Sequence, residues 1–430
     1  MVLFIVCHGG VLTTATEVPS SATTNPALPP KTAAGANYAV TNLGAPWGDS
    51  SEANGINGSG QVVGWFGNAT GSHHAFEYSK GQLQDLGTLG KDSSEATAIN
   101  SIGQVVGWID STKASGGRSA TFVNPQAPID RGPNSRVSSG SRAFLYRNGK
   151  MQDLGTMGGL ASWAGAINDG GQVAGTVVVN STIQLPRGGT AAAVVPHLFL
   201  YSSGKMLDLG AGLSEATGID SEGLVVGIAR VDMTGRIVGT LPQAGGCLLQ
   251  WQTVRPSGTQ TPDNGPTGGE GHAGRYRAGR VQELDTLGGA GSMARAVNGS
   301  GQIVGWARTY PAKGDYEHAS IFSDETRMKD LGTLGGKYSS AFAINSRGQI
   351  VGFAAMDRNA QGWVGQRAFL FSSGKMQDLN LLVGDAALAA AGFKVLLCAT
   401  GINSSGQIAG YGEDLTGHHR AFLLTPVNGR

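Results

Sequence analysis

The chain of 430 residues contains 70 glycines, about 16%, and only 14% of its residues are charged, whereas ordinary proteins have roughly 7% glycine and 25% charged residues. Its 40% apolar content and the lack of a three-residue glycine period exclude a disordered linker and a collagen. With 31 basic and 30 acidic residues, the balanced charge argues against nucleic acid and against strongly charged partners.

The N-terminal region, residues 1–37, is predicted to be a flexible leader or the remnant of a signal peptide. Its apolar run, residues 2–7, is far shorter than the roughly 20 residues that span a bilayer, so no membrane span is predicted. The first basic residue is Lys31, so the charged start of a signal peptide is missing. Residues 8–37 are rich in Ala, Thr, Ser and Pro, which is typical of a segment outside a core.

The pattern Ile-Asn-x-x-Gly-Gln-Val-Val-Gly occurs seven times, and successive copies are 43 to 78 residues apart. Periods of this size are typical of repeat architectures. One copy departs from the pattern, because Asp220 replaces its asparagine and Leu224 its glutamine. The copies begin at Ile56, Ile99, Ile167, Ile219, Val297, Ile344 and Ile402.

Each repeat contains four strand-like runs, which we call A, B, C and D. In the second repeat they are residues 94–100, 104–108, 142–146 and 150–154. The Asn-x-x-Gly sequence between A and B suits a tight turn, since asparagine bonds its own backbone and glycine accepts positive φ. Four antiparallel strands repeated seven times predict an all-β, seven-bladed β-propeller with four-stranded blades. A β-solenoid competes, but its shorter coils lack such hairpins.

The two ends of the repeat region predict how the ring closes. Residues 38–44 match a strand D, and residues 420–424 match a strand C. The N-terminal strand is therefore predicted to complete the last blade, which leaves no blade edge open for aggregation. The propeller domain is predicted over residues 38–426, followed by a C-terminal tail at 427–430.

Several short motifs resemble those of a known family. They are His-Ala-Phe at 74–76, Arg-Ala-Phe-Leu-Tyr at 142–146 and Asp-Leu-Gly at 153–155, followed by Ile167-Asn168. With these motifs the chain resembles the HAF family of bacterial extracellular repeat proteins over residues 38–426. The resemblance implies an exported protein, extracellular or periplasmic, and it implies no particular activity.

Long insertions are predicted to collect on one side of the propeller. If strand A is innermost, the B-to-C and D-to-A connections share a side, which we call the insertion face, and the tight turns lie on the opposite turn face. Insertions on one side of a repeat scaffold commonly build its binding surface. One segment, 255–276, is predicted to be an exception on a C-to-D connection. The others are 109–141, 176–196, 228–246, 307–317 and 353–366 between B and C, and 380–396 between D and A.

The position five residues before each motif asparagine, here called the ring position, is where strand A enters the central channel. The carboxylates Glu52, Glu95 and Glu215 are candidates for general acid and base work on a glycosidic bond or for holding a cation. The alternative is a solvated channel mouth inherited with the repeat. Two residues further along, Arg295 and Phe342 replace small residues and are candidate ligand contacts. The ring residues are Glu52, Glu95, Trp163, Glu215, Met293, Ser340 and Cys398.

Tryptophans fall into two groups by their place in the repeat. Trp65, Trp108 and Trp306 end strand B and are predicted to pack between blades. Trp47, Trp163 and Trp363 belong to D-to-A loops or to an insertion and are predicted ligand contacts. Flat aromatic rings at such places suit stacking on sugar rings.

Two sets of polar residues have a structural and a functional interpretation. Strand C begins with His or Arg and strand D carries Asp or Glu, which predicts a cross-strand tie in nearly every blade. Cys247 takes the basic position once and is predicted to leave Glu283 without a basic partner. His73, His418 and His419 flank the seam between the first and last blades, either as a metal or base cluster or as exposed loop histidines.

The predicted function is an exported, monomeric propeller that binds a polysaccharide or other extended polymer on the insertion face. The alternative is a carbohydrate-active enzyme, a glycoside hydrolase or polysaccharide lyase, that uses Glu52, Glu95 and Glu215. A protein-interaction platform is the third possibility. The sequence lacks a nucleophile elbow, an HExxH motif and a phosphate-binding loop, and its three cysteines have no metal spacing, so no cofactor and no metal are predicted.

Overall fold

A computed structural model describes residues 24–26, 37–67, 72–110, 140–184, 190–230, 271–310, 316–323, 327–356 and 365–427. Two strands precede the first complete repeat: β1 (Thr24–Pro26) and β2 (Tyr38–Gly44). The first blade consists of β3 (Ser50–Ile56), β4 (Val62–Gly67), β5 (His73–Ser79) and β6 (Gln82–Gly87). The second consists of β7 (Ser93–Ile99), β8 (Val105–Asp110), β9 (Arg142–Arg147) and β10 (Lys150–Gly155).

The third and fourth blades follow in the same order. The third consists of β11 (Ala161–Ile167), β12 (Val173–Gln184), β13 (Thr190–Ser202) and β14 (Lys205–Gly210). The fourth consists of β15 (Leu213–Ile219), β16 (Val225–Arg230), β17 (Gly271–Arg277) and β18 (Arg280–Glu283).

The last three blades include the two helices of the described residues. The fifth blade consists of β19 (Gly288–Val297), β20 (Ile303–Thr309), β21 (Glu317–Ser323) and β22 (Arg327–Asp330). The sixth consists of β23 (Ser339–Ile344), β24 (Ile350–Ala355), β25 (Gln366–Ser372) and β26 (Lys375–Asp378). Helices α1 (Leu379–Val383) and α2 (Asp385–Ala390) lead to β27 (Phe393–Ile402), β28 (Ile408–Asp414) and β29 (His419–Pro426). Neither helix is long and apolar enough to cross a membrane.

The seven sheets form a seven-bladed β-propeller, as the repeat predicts. Each strand A contacts strand A of the next blade, and β27 contacts β3 to close the circle, so strand A is innermost. The N-terminal strand β2 pairs with β29, with Val40 opposite Leu424, and completes the seventh blade. Within the predicted leader, β1 adds a fifth strand outside β6.

The motif asparagines join the blades into a ring. In each A-to-B turn the asparagine Oδ1 accepts the backbone N–H four residues later, as in Asn57 with Gln61 at 3.0 Å. Its Nδ2 donates to the backbone carbonyl of the motif residue in the next blade, from Asn57 to Asn100 at 3.0 Å, and Asn403 closes the circle onto Asn57 at 3.0 Å. Asp220 accepts within its turn, from Leu224 N at 2.8 Å, but a carboxylate has no N–H to donate to the fifth blade.

Glycine and serine let the blades approach closely. A Cβ on Gly107 would lie 1.9 Å from the carbonyl oxygen of Glu95, so only glycine fits the Val-Val-Gly position of this strand B. Ser94 Oγ donates to Gly87 O at 2.7 Å and accepts from Ala75 N at 2.8 Å, which ties the second blade to the first. These contacts explain part of the glycine excess as close packing.

The hydrophobic core is divided among the interfaces between blades. Val106 and Leu145 of the second blade pack with Val173 and Phe199 of the third in one buried cluster. The other interfaces are built in the same way, for example between the seventh and first blades, where Ala421 joins the cluster of the first blade. Each blade is therefore stabilised mainly by its neighbours.

The structure corrects the fourth repeat. Strand C of this blade is β17, which pairs with β16 and places Ala273 opposite Ile228. The prediction of a C-to-D excursion at 255–276 was therefore wrong, and residues 231–270 connect B to C. His272 Nδ1 contacts the Glu283 carboxylate, so the prediction that Glu283 lacks a basic partner was also wrong. Cys247 lies outside the described residues.

The basic-acidic ties of strands C and D are confirmed in five other blades, whereas in the seventh blade Arg420 pairs with Asp414 of strand B. His74 Nδ1 lies 2.8 Å from Asp85 Oδ2, and Arg142 Nε donates to Asp153 Oδ2 at 2.6 Å. The same aspartates accept the backbone N–H two residues later, for instance Gly87 N at 2.7 Å. These pairs shape the end of strand D and are structural.

With the fourth repeat corrected, the long segments predicted from the sequence all begin and end on the insertion face. One is a regular hairpin, because β12 and β13 continue beyond the blade to Gln184 and Thr190. The D-to-A connection of the sixth blade contains α1 and α2.

Replacing Asn345 tests the asparagine ring. Its Nδ2 donates to Asn403 O, and its Oδ1 accepts from Arg347 N and Gln349 N, each at 3.0 Å. We expect Asn345→Ala to lower the free energy of unfolding by about 2 to 4 kcal/mol, because buried partners lose their bonds. Asn345→Asp keeps the turn acceptor but sets a carboxylate oxygen against Gln349 Oε1 and Asn403 O, which both accept from Nδ2, so it is expected to cost at least as much. Denaturant unfolding measures both, and an Asn345→Ala variant as stable as the parent would contradict the role of the ring.

The carboxyl of Glu77 gives a pH-dependent contribution to stability. Burial raises the pKa of Glu77, and the hydrogen bond from Gln61 Nε2 at 2.6 Å opposes this rise. A raised folded-state pKa means that stability is fully present below the ordinary pKa and decreases as pH rises through the folded pKa. Glu77→Gln is expected to be more stable than the parent at pH 7, by less than about 1 kcal/mol, and equal to it near pH 4. Thermal unfolding at both pH values checks this, and a less stable variant at pH 7 would contradict it.

Candidate functional site

The ring positions lie within strand A, toward the insertion face. Each is paired with the fourth residue of strand B, so Glu52 is opposite Trp65 and Glu95 is opposite Trp108. Of the three tryptophans predicted to pack between blades, Trp65 and Trp108 are at most 6% exposed and Trp306 is half-buried. The strand-B partners of the other ring positions are Thr176, Ile228, Trp306, Phe353 and Tyr411.

Glu52 forms a pair with a histidine across the seam of the propeller. His419 Nδ1, from strand C of the seventh blade, lies 2.8 Å from Glu52 Oε1 in the first blade. The His419 ring stacks on Tyr411, with centroids 5.1 Å apart. The side chains of His419 and Glu52 are 12% and 15% exposed, so solvent and small polar groups reach this pair.

Glu95 occupies the equivalent place one blade further on but is enclosed. His73 Nε2 lies 3.8 Å from Glu95 Oε2, and Asn54 Nδ2 donates to Glu95 Oε1 at 3.0 Å. The His73 ring lies between Trp65 and Trp108, with centroids 5.5 and 5.3 Å away. The Glu95 side chain is only 2% exposed, so its carboxylate joins the first two blades.

The third predicted carboxylate has different surroundings. Glu215 is half-buried on β15, opposite Ile228 rather than an aromatic residue. In the preceding blade Pro196 stands where the first blade has His73. The position that brings a histidine to Glu95 is therefore a proline before Glu215.

The seam histidines do not gather into a metal site. His419 contacts Glu52, His73 approaches Glu95, and His418 Nδ1 lies 2.8 Å from Thr416 Oγ1. Across the described ranges of the chain, no three His, Cys, Asp or Glu side chains are grouped to hold a metal ion.

Arg295 and Phe342, the two predicted specialised residues, contact each other between neighbouring A strands. The Arg295 Cζ lies 4.7 Å from the centroid of the Phe342 ring in the next blade. Arg295 also interacts electrostatically with Cys398 and Tyr411 of the seventh blade. It is 5% exposed, and a bulge between Ala294 and Ala296 marks its place in the strand.

Burial controls the ionisation of two groups beside the ring. It lowers the pKa of Arg295 to about 10, while interactions with Cys398, Glu317 and Tyr411 oppose this shift. Arg295 is therefore charged at neutral pH. Burial also raises the pKa of the Cys398 thiol, and Glu52 raises it further, so Cys398 stays protonated.

The remaining predicted contacts differ in accessibility. Trp163 is half-buried, and its Nε1 has no hydrogen-bond partner in the described part of the chain; the same holds for Ser340 Oγ on the same ring. Buried polar atoms normally have partners, so both mark places for a water or a ligand. Trp47 packs against Phe66, with centroids 4.8 Å apart. Trp363 lies outside the described residues.

Labelling of Cys398 tests whether the residues near it, including Arg295 and Phe342, shield this thiol from solvent. In a Cys7→Ser, Cys247→Ser background, we expect a thiol reagent to modify native Cys398 at least about tenfold more slowly than the denatured protein, because the thiol is buried and protonated. Phe342→Ala is expected to speed native labelling, whereas Phe371→Ala, on the outer part of the same blade, is the control. Labelling of the native protein at the rate of the denatured protein would contradict the burial of Cys398.

Comparison with known proteins does not identify a relative. No protein-family model matches the chain, and no curated protein sequence matches it. The function is therefore inferred from the geometry of the propeller and its ring residues.

Proposed function

We propose that this protein is an exported β-propeller that binds a polysaccharide across the insertion face. The observation that supports this most directly is that the long segments connecting its strands begin and end on that one face. Binding surfaces of repeat scaffolds are commonly built this way. Export is proposed from the resemblance of the His-Ala-Phe and Asp-Leu-Gly motifs to the HAF family.

The chemistry of the channel mouth suits a ligand rich in hydroxyl groups. Glu52 offers a partly exposed carboxylate that accepts from hydroxyls, and Trp163 Nε1 is a donor without a protein partner among the described residues. Arg295 and Phe342 stand two residues further along strand A than the ring positions, where the guanidinium lies against the aromatic ring. Trp47 contributes an aromatic edge beside the first blade.

A carbohydrate-active enzyme is the second candidate, and the His419–Glu52 pair favours it. A histidine at 2.8 Å from a partly exposed carboxylate is an arrangement suited to proton transfer. Glu52 combines a histidine partner with solvent access, whereas Glu95 is enclosed.

Retention on a polysaccharide panel tests the binding proposal. We expect one polysaccharide class to retain the protein, and Trp163→Ala to weaken retention at least about tenfold, as loss of a central aromatic contact does. Trp163→Phe keeps the ring but removes Nε1–H, so an intermediate loss is expected. Ile102→Ala, an exposed residue of a turn on the opposite face, is the control. Absence of retention by every polysaccharide would contradict the proposal.

The same samples distinguish binding from catalysis. New reducing or unsaturated ends that disappear in Glu52→Gln and in His419→Asn would establish the enzyme, with Glu215→Gln as a further comparison. Retention without new ends would establish a binding module.

A further inference from the structure

A second site lies on the turn face, between the fourth and fifth blades. It is a cavity of about 400 Å³. Asp220 and Glu222 of the A-to-B turn, and Arg275, Arg277 and Arg280 of the outer hairpin, line it on the fourth blade. The fifth blade contributes the turn residues 299–301. This site is separate from the insertion face.

The cavity lies where the sequence departs from the repeat motif, at the junction of the fourth and fifth blades. At six junctions the motif glutamine covers the turn glycine of the next blade: a Cβ on Gly60 would lie 3.0 Å from Gln407, and one on Gly103 would lie 3.4 Å from Gln61. At Gly301 nothing lies within 4 Å. Leu224 replaces the glutamine here and packs inward, 4% exposed, in a hydrophobic cluster.

The outer strands of this junction are altered as well. Elsewhere Gln84 Nε2 donates to the hydroxyl of Tyr146 in the next blade, at 3.2 Å. The fifth blade has Phe322 in the place of that tyrosine, and Gln282, the counterpart of Gln84, accepts from Nη2 of Arg275 at 2.8 Å. Arg275 stands where other blades have Leu145 or Leu370, and its Cζ lies 5.9 Å from the Phe322 ring.

The cavity lining has an excess of positive charge. Three guanidinium groups face two carboxylates, and Glu222 is ion-paired with Arg277. Asp220 Oδ1 accepts from the backbone N–H groups of Glu222 and Leu224, at 2.9 and 2.8 Å. Arg280 makes no ion pair or side-chain hydrogen bond within the described residues. Guanidinium groups bind carboxylates and phosphates through paired hydrogen bonds.

We propose that this cavity binds a small sugar-sized molecule with a single carboxylate or phosphate group. Arg280 and Arg275 hold the anionic group, and Asp220 accepts from the hydroxyls. A volume of about 400 Å³ lies within the range of small-molecule sites. The three departures from the repeat, Asp220, Leu224 and Arg275, are what create this site.

Isothermal titration with four probes tests the proposal: glucuronate, glucose 6-phosphate, inorganic phosphate and glucose. We expect glucuronate or glucose 6-phosphate to bind and glucose not to bind. Binding of glucuronate alone identifies a carboxylate site, and binding of glucose 6-phosphate identifies a phosphate site. Binding of neither charged sugar up to about 10 mM would overturn the proposal.

Two variants locate the site. Arg280→Gln is expected to weaken binding at least about tenfold, whereas Lys375→Gln, at the same place in the sixth blade, leaves it unchanged. Leu224→Gln restores the repeat glutamine beside Gly301 and is expected to weaken binding, and it lowers the unfolding temperature because Leu224 leaves its hydrophobic cluster. Unchanged binding in Arg280→Gln would overturn the proposal even if Leu224→Gln fails to fold.

Discussion

The hydrogen bond from each motif asparagine to the carbonyl of the next blade is the constraint on which this propeller depends. One side chain both closes its own A-to-B turn and reaches the neighbouring turn, as Asn168 does with Gln172 N and Asp220 O at 3.0 and 2.9 Å. Because β2 pairs with β29 and completes the last blade, the last bond, from Asn403 to Asn57, spans the seam. Local turn formation and closure of the circle are thus specified by the same residue.

This coupling decides where the repeat tolerates change. Asp220 satisfies the turn but not the ring, and the fourth and fifth blades remain joined by Thr217 Oγ1, which donates to Ala294 O at 2.8 Å. This junction therefore lacks the glutamine that covers the turn glycine elsewhere, but it keeps the hydrogen bond between neighbouring A strands. A cavity is therefore present on the turn face although the ring of blades stays closed at this junction.

The sequence predicts the blade number and the closure because both depend on local signals, the Asn-x-x-Gly turn and the strand-D match at 38–44. It misplaces strand C of the fourth blade because that strand lacks the Phe after His-Ala, where Gly274 stands, and because 40 residues outside the described ranges, 231–270, precede it. The pairing of His419 with Glu52 depends on closure, since the two are 367 positions apart. A signal for it exists: only His73 and His419 precede the basic residue of strand C as histidines.

Arg295 shows how the interior of the propeller accommodates a residue that departs from the repeat. A buried charge costs free energy unless other groups compensate for it; the Phe342 ring lies against this guanidinium, and Cys398, Glu317 and Tyr411 interact with it electrostatically. No repeat position requires an arginine here, since the other copies have small residues or Phe342. The arginine is therefore a departure from the repeat next to the ring positions, and Phe342 of the following blade accommodates it. Because the asparagine ring holds the blades together on the turn face, the insertion face is free to vary in loop length and chemistry.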